Sequence, residues 1–249
     1  MGGTSQQGCS VHFTDQVIYF LTIKTKSNNM NKKMTIQGKF FRFMSIALVL
    51  STLAFSFQSC NKDPEMNPLS TTKYHQLDDA MHQLWSDHMQ WTYATVDAYF
   101  NEPTSLQAKL NRLMKNQEEI GAAIVPYYGQ AAGDQLTKLL KEHINGAVPV
   151  LEAAKNNNQA ALDAAVANWR ANAKEIADFL SAANPQNWEQ SHMRMHMDDH
   201  ISKTITYSVA LLQKNYAQAV LDYDAAYADM MHMADSLSEG IAKQFPSKF

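Results

Sequence analysis

The chain has 249 residues, 45% hydrophobic and 18% charged, and its 21 Lys and Arg against 24 Asp and Glu leave a net charge of −3. That balance offers no basic footprint for nucleic acid. Two cysteines are too few for a disulfide-built scaffold, and the length suits one domain with a sizeable core.

Residues 1–29 read as neither a domain nor a signal, and Met30-Asn-Lys-Lys33 is a more natural start. The upstream stretch is therefore expected to be a misassigned or non-native extension. Residues 30–59 follow the pattern of a secretory signal. Lys32, Lys33, Lys39 and Arg42 precede an apolar run, Met44–Phe57, and Gln58-Ser59 follows it. The run is too short for a comfortable membrane span.

Cys60 then resembles the lipidated first residue of a bacterial lipoprotein. The tail Cys60-Asn-Lys-Asp-Pro-Glu65 is similar to the surface-export signal of Bacteroidetes lipoproteins. This resemblance implies a lipid anchor in the outer membrane or at the cell surface, with the membrane as a partner through Cys60. Cleavage there would leave 190 residues with 15 Lys and Arg against 23 Asp and Glu, and would remove Cys9. Residues 60–72 then read as the anchor and a flexible tether containing Pro64 and Pro68.

From residue 73 to 249 the pattern predicts an all-α bundle of about six helices in three repeated antiparallel hairpins. Leu77, Met81, Leu84, His88 and Trp91 recur at three- and four-residue steps along a first helix, about 73–100. Pro103 suits the start of a second, about 104–125, and Pro126-Tyr-Tyr-Gly129 ends that hairpin. A third helix, about 130–155, carries Gly146 and Pro149 and is expected to kink there. A fourth runs from the Asn156-Asn-Asn158 turn to Asn184-Pro185. A fifth covers about 186–214, and a sixth ends near Phe245-Pro246.

An internal repeat overlies these hairpins. An acidic residue directly precedes histidine at Asp87-His88, Glu142-His143 and Asp199-His200, and these histidines are 55 and 57 residues apart. Asn116, Asn172 and Asp229 follow them by 28, 29 and 29 residues. Counting outward from each turn sets every histidine level with its Asn or Asp on the return helix. Six polar groups could thus meet in one layer.

Two readings of that layer stay open. In one, each histidine hydrogen-bonds its Asn or Asp and fixes the register of a non-metal ligand-binding or scaffold protein. In the other, His88, His143 and His200 with Asn116, Asn172 and Asp229 hold a transition metal, with Glu119, Glu175, Asp178 and Asp235 as further donors. The third hairpin also carries His192, Met193, His196, Met197 and His200 within ten residues, with Met230, Met231, His232 and Met233 on its partner helix. Thioether with imidazole favours copper, above all Cu(I). The plainer role for such methionines is to fill core gaps. No phosphate-binding loop, nucleophile elbow, His-Glu-x-x-His or Cys-x-x-Cys motif occurs, so an enzyme is the weaker expectation; it would need a substrate-sized pocket at the histidine layer.

The region resembles a family of small all-helical bacterial proteins of unassigned function. The resembling segments are Leu84-Trp-Ser-Asp-His-Met-Gln-Trp-Thr92, Tyr127-Tyr-Gly129, Leu139-Leu-Lys-Glu-His143, Trp169-Arg-Ala-Asn-Ala-Lys-Glu-Ile-Ala177 and Gln244-Phe-Pro-Ser-Lys-Phe249. The resemblance implies a shared helical domain and no particular activity. The His/Met enrichment around 192–200 and 230–233 departs from it.

Overall fold

The computed structural model describes residues 67–249. The expected extension, the signal segment, Cys60 and residues 61–66 of the tether lie outside that range. Six helices follow in order: α1 (Thr72–Asn101), α2 (Pro103–Tyr128), α3 (Gln130–Lys155), α4 (Gln159–Ala183), α5 (Gln190–Leu212) and α6 (Tyr216–Gln244). No strand occurs among the described residues. The all-α, three-hairpin architecture is as the periodicity predicts.

The ends of these helices are chemically marked. Thr71, Asn158 and Asn215 accept from backbone N–H groups in the first turns of α1, α4 and α6. Those N–H groups have no partner within their own helix, and a capping oxygen supplies one. Pro103 opens α2, where its missing N–H costs nothing.

Three boundaries differ from the sequence reading. Helix α2 runs through Pro126 to Tyr128, and Gly129, at φ 83°, makes the turn. A left-handed φ there is cheap only for glycine. Helix α5 begins at Gln190 rather than near 186, after a turn over 185–187, whereas α3 keeps its expected bounds and stays helical past Gly146 and Pro149. Residues 67–72, assigned by composition to the tether, instead form a 3-10 turn (Pro68–Ser70) and the start of α1, and the turn packs against α1 and α6.

Each helix packs on its neighbours in the chain, and α6 returns to pack on α1. The result is a closed ring of six antiparallel neighbours. Helices α1, α3 and α5 run in the same direction, and α5 also touches α1 and α3 across the interior.

The repeat is visible as core layers. Met81, Leu136 and Met193 lie seven residues before the three histidines, and Trp85, Leu140 and Met197 lie three before. Ile120, Ile176 and Met233 occupy matching positions on the return helices, and all nine are buried. All of them except Leu140 and Met193 line an apolar cavity of about 20 Å³ that Trp188 helps to close. That is room for about one water. Trp188 is held by its Nε1, which donates to the Ser236 carbonyl at 2.9 Å, and it rests on Gly240, where any Cβ would collide with the indole.

Candidate functional site: a buried three-histidine layer

The histidines of the repeat meet at the centre of the ring. His88, His143 and His200 expose 2%, 3% and 5% of their surface. The ring centroids of His88 and His200 are 5.8 Å apart, and those of His143 and His200 are 5.7 Å apart with planes 30° from parallel. Trp85 meets the edge of His88 at 5.5 Å, and Trp169 lies 5.3 Å from His143.

The second hairpin shows the hydrogen-bond logic in full. Asn172 Nδ2 donates to the Leu139 carbonyl at 3.2 Å, so its Oδ1 faces His143 Nδ1 at 2.9 Å. An amide oxygen only accepts. Nδ1 of His143 therefore carries the hydrogen, and Nε2 presents a lone pair. That Nε2 is buried and has no hydrogen-bond partner among the described residues. Trp169 reinforces the arrangement by donating Nε1 to the His143 carbonyl at 2.9 Å. Gly146 makes room for this, because a Cβ there would sit 3.0 Å from the Trp169 ring.

The first hairpin repeats the anchor. Asn116 Nδ2 donates to the Leu84 carbonyl at 2.9 Å, four residues before His88 as Leu139 is four before His143. Gln117, which sequence reasoning did not single out, lies 3.3 Å from His88 Nδ1. Its two amide hydrogens are taken by the Leu113 carbonyl at 2.8 Å and Asn116 Oδ1 at 3.1 Å, so its approach to the imidazole adds little. Its Oε1 is buried and unpartnered.

The third hairpin departs. Asp229 is paired with Lys203 Nζ at 2.7 Å rather than with His200. A carboxylate cannot donate to a carbonyl as Asn116 and Asn172 do, and a nearby ammonium holds it outward. Among the described residues, His200 has no hydrogen-bond partner.

Burial keeps all three rings neutral. Desolvation pushes His143 down to about 4, against the hydrogen bond to Asn172. Desolvation and then the His143 charge push His88 down to about 3, opposed by Gln117 and Asn116. His200 is driven well below the ordinary histidine range by desolvation, then by its two histidine neighbours and Lys203.

The acidic residues of the repeat do not enter this layer. Asp87 pairs with Arg112 at 3.0 Å, and Arg112 also holds Glu119 at 3.0 Å. Glu142 lies 3.9 Å from Lys138, and Asp199 and Glu175 are exposed. Asp178 is bound by Arg194 at 2.6 Å and by Lys174 at 2.7 Å. Sequence neighbours on a helix point about 100° apart, so an inward histidine sends its neighbour outward.

The same 100° divides the His/Met cluster. Met193 and Met197 are buried in the layers above the triad, as is Met233 on α6, and Met230 is buried as well. His192 and His196 share an outer face, with ring centroids 4.4 Å apart and Nε2 atoms 3.2 Å apart. His232 is separate again, 77% exposed. The His/Met residues of α5 are thus two sets, one buried and one on the outer face.

On the other side of the layer apolar side chains such as Val96, Leu113 and Leu211 are interspersed with polar ones. Thr204 Oγ1, Tyr207 Oη and Thr95 Oγ1 are buried without partners. The cavity described above is lined by apolar side chains and by none of the three histidines. Of the His, Asp and Glu groups among the described residues, the set with ligand atoms all within 4.8 Å is Asp78, His82 and Asp235, on the α1–α6 seam. The triad's nitrogens are more widely set. Asp78 and His82, four apart on one helix, were legible as a pair; their convergence with Asp235 was not.

Comparison with protein-family models, with curated proteins and with solved structures finds no match.

Proposed function

We propose that the chain is an exported, lipid-anchored protein whose helical bundle binds a transition metal, copper(I) first, at His88, His143 and His200. The observation that carries this is the buried, unpartnered Nε2 of His143 amid two further neutral imidazoles. A metal bound by nitrogen at about 2 Å sets imidazole centroids roughly 5 Å apart. The His143–His200 and His88–His200 separations of 5.7 and 5.8 Å are somewhat wider, so binding would draw the rings inward and turn their nitrogens to one point. Asn172 on the far nitrogen of His143 is the kind of outer partner that orients a ligating histidine.

Charge favours a monovalent ion. Three neutral imidazoles supply no compensating charge, and the carboxylates of the repeat are held outside by Arg112, Lys138 and Lys203. The cost of burying an ion rises with the square of its charge. Imidazole with thioethers in the adjoining layers suits soft Cu(I). His192 and His196 would form a separate surface chelate.

A specific observation favours a second reading, in which the layer only fixes packing. The His143–Asn172–Leu139 relay is complete without a metal and would pin the register of the second hairpin. Anaerobic titration of the untagged full chain with Cu(I) against a competing chelator separates the two. One equivalent retained, lost in His143→Leu and His200→Leu and kept in His192→Ala/His196→Ala, supports the metal reading. Equal retention in folded His200→Leu, or no retention by the wild-type protein, supports the packing reading.

A further inference from the structure

We propose a second, divalent-metal site on the seam where α6 closes against α1, built from Asp78, His82 and Asp235 with His232 as a fourth ligand. It lies outside the axial triad and does not depend on it. His82 Nε2 is 2.7 Å from Asp235 Oδ1, and one ligand atom from each of Asp78, His82 and Asp235 falls within 4.8 Å of the others. His232 Nδ1 is 3.7 Å from Asp235 Oδ2, one turn back on α6, and its exposed ring is free to rotate toward the same point.

Two features distinguish this group from an ordinary surface ion pair. Two carboxylates converge beside one imidazole, and like charges at such range repel. Three other partly buried carboxylates are each met by a cation: Asp87 by Arg112, Asp178 by Arg194 and Lys174, and Asp229 by Lys203. Among the described residues, neither Asp78 nor Asp235 has a Lys or Arg partner. A divalent cation would balance both carboxylates.

The second feature is support from below. Ser238 is fully buried, and its hydroxyl reaches Asp78 Oδ1 at 2.6 Å. Hydrogen bonds of this kind orient a ligating carboxylate. Two carboxylate oxygens and imidazole nitrogen suit Zn²⁺, with Mn²⁺ or Ni²⁺ as weaker fits, and do not suit Cu(I). On binding, the hydrogen of neutral His82 moves from Nε2 to Nδ1 by exchange with solvent, which frees the Nε2 lone pair for the ion.

The ligands sit 153 residues apart on the first and last helices of the ring. An ion there would clip the ring shut, and its binding energy would add to folding stability. The test titrates Zn²⁺ into the metal-free full chain carrying His192→Ala/His196→Ala, which removes the exposed chelate. One equivalent with a rise in Tm is expected. His82→Ala and Asp235→Asn should abolish both, Ser238→Ala should weaken binding about 10- to 100-fold, and His143→Leu should leave it intact. All three seam residues are partly exposed, so the variants keep a folded bundle for circular dichroism to verify. Unchanged stoichiometry in folded His82→Ala, absence of any Zn²⁺-dependent rise in Tm, or loss of Zn²⁺ in His143→Leu would each overturn the proposal.

Discussion

The second and third hairpins begin from the same arithmetic and end differently. In the second, Asn172 reads the Leu139 carbonyl with one end and His143 with the other. In the third, Asp229 occupies the equivalent place but pairs with Lys203, and among the described residues His200 is left between two other imidazoles with no hydrogen bond. One atom separates the amide from the carboxylate. That atom decides whether the return helix serves the histidine or the solvent-side charge. Equivalent residues in a repeat are thus equivalent in position, and chemistry then sets their partners.

The largest effect that would sharpen this contrast is acid unfolding of the metal-free protein. The unfolded imidazole titrates near 6.5, whereas the native rings stay neutral to about 4 at His143 and about 3 at His88. Below pH 6.5 the unfolded chain therefore binds protons that the native chain excludes. The stability contributed by each neutral histidine is fully present above 6.5 and is lost as pH falls toward the native value. Each contributes a slope of about 1.4 kcal/mol per pH unit, so three give roughly 4 at the steepest. Urea unfolding at pH 7, 6 and 5 measures it. His200→Leu should remove about one third of the slope; an unchanged slope would mean that His200 does not titrate as a buried group.

The next effect tests the relay directly. Asn172→Leu leaves the Nδ1–H of His143 buried without an acceptor and should cost about 1–3 kcal/mol. Asp229→Leu breaks only a partly exposed ion pair and should change stability by about 1 kcal/mol or less. Thermal melts of the two variants compare the hairpins at one height. Equal losses would show that Asp229 supports His200 in solution.

The smallest effect concerns the outer histidines. His192→Ala/His196→Ala should shift stability by no more than about 0.5 kcal/mol, as is usual for surface positions. A loss of several kcal/mol would place that pair in the folding core alongside Met193 and Met197.

Much of this was legible beforehand. The stripe through Leu77, Met81, Leu84 and His88 announced a helix, and counting from each turn set His143 level with Asn172, which it contacts. Two things were not legible. Met193 and Met197 carry no label saying that they, rather than His192 and His196, face inward; only alignment with Met81, Trp85, Leu136 and Leu140 says so. The seam site was also hidden, because Asp78 and Asp235 lie in different hairpins and their approach depends on how the ring closes.

The sequence by itself determined the helices, their turns, the heights of the repeated polar residues and the apolar layers between them. These depend on periods of three to four residues and on chain distance from a turn, both of which are local. Tertiary structure alone decided that three histidines on alternate helices share one axis, that Asp229 prefers Lys203, and that α6 returns to α1. Those outcomes rest on distances between segments far apart in the chain, where the burial of whole helix faces and the competition of nearby cations outweigh any local preference.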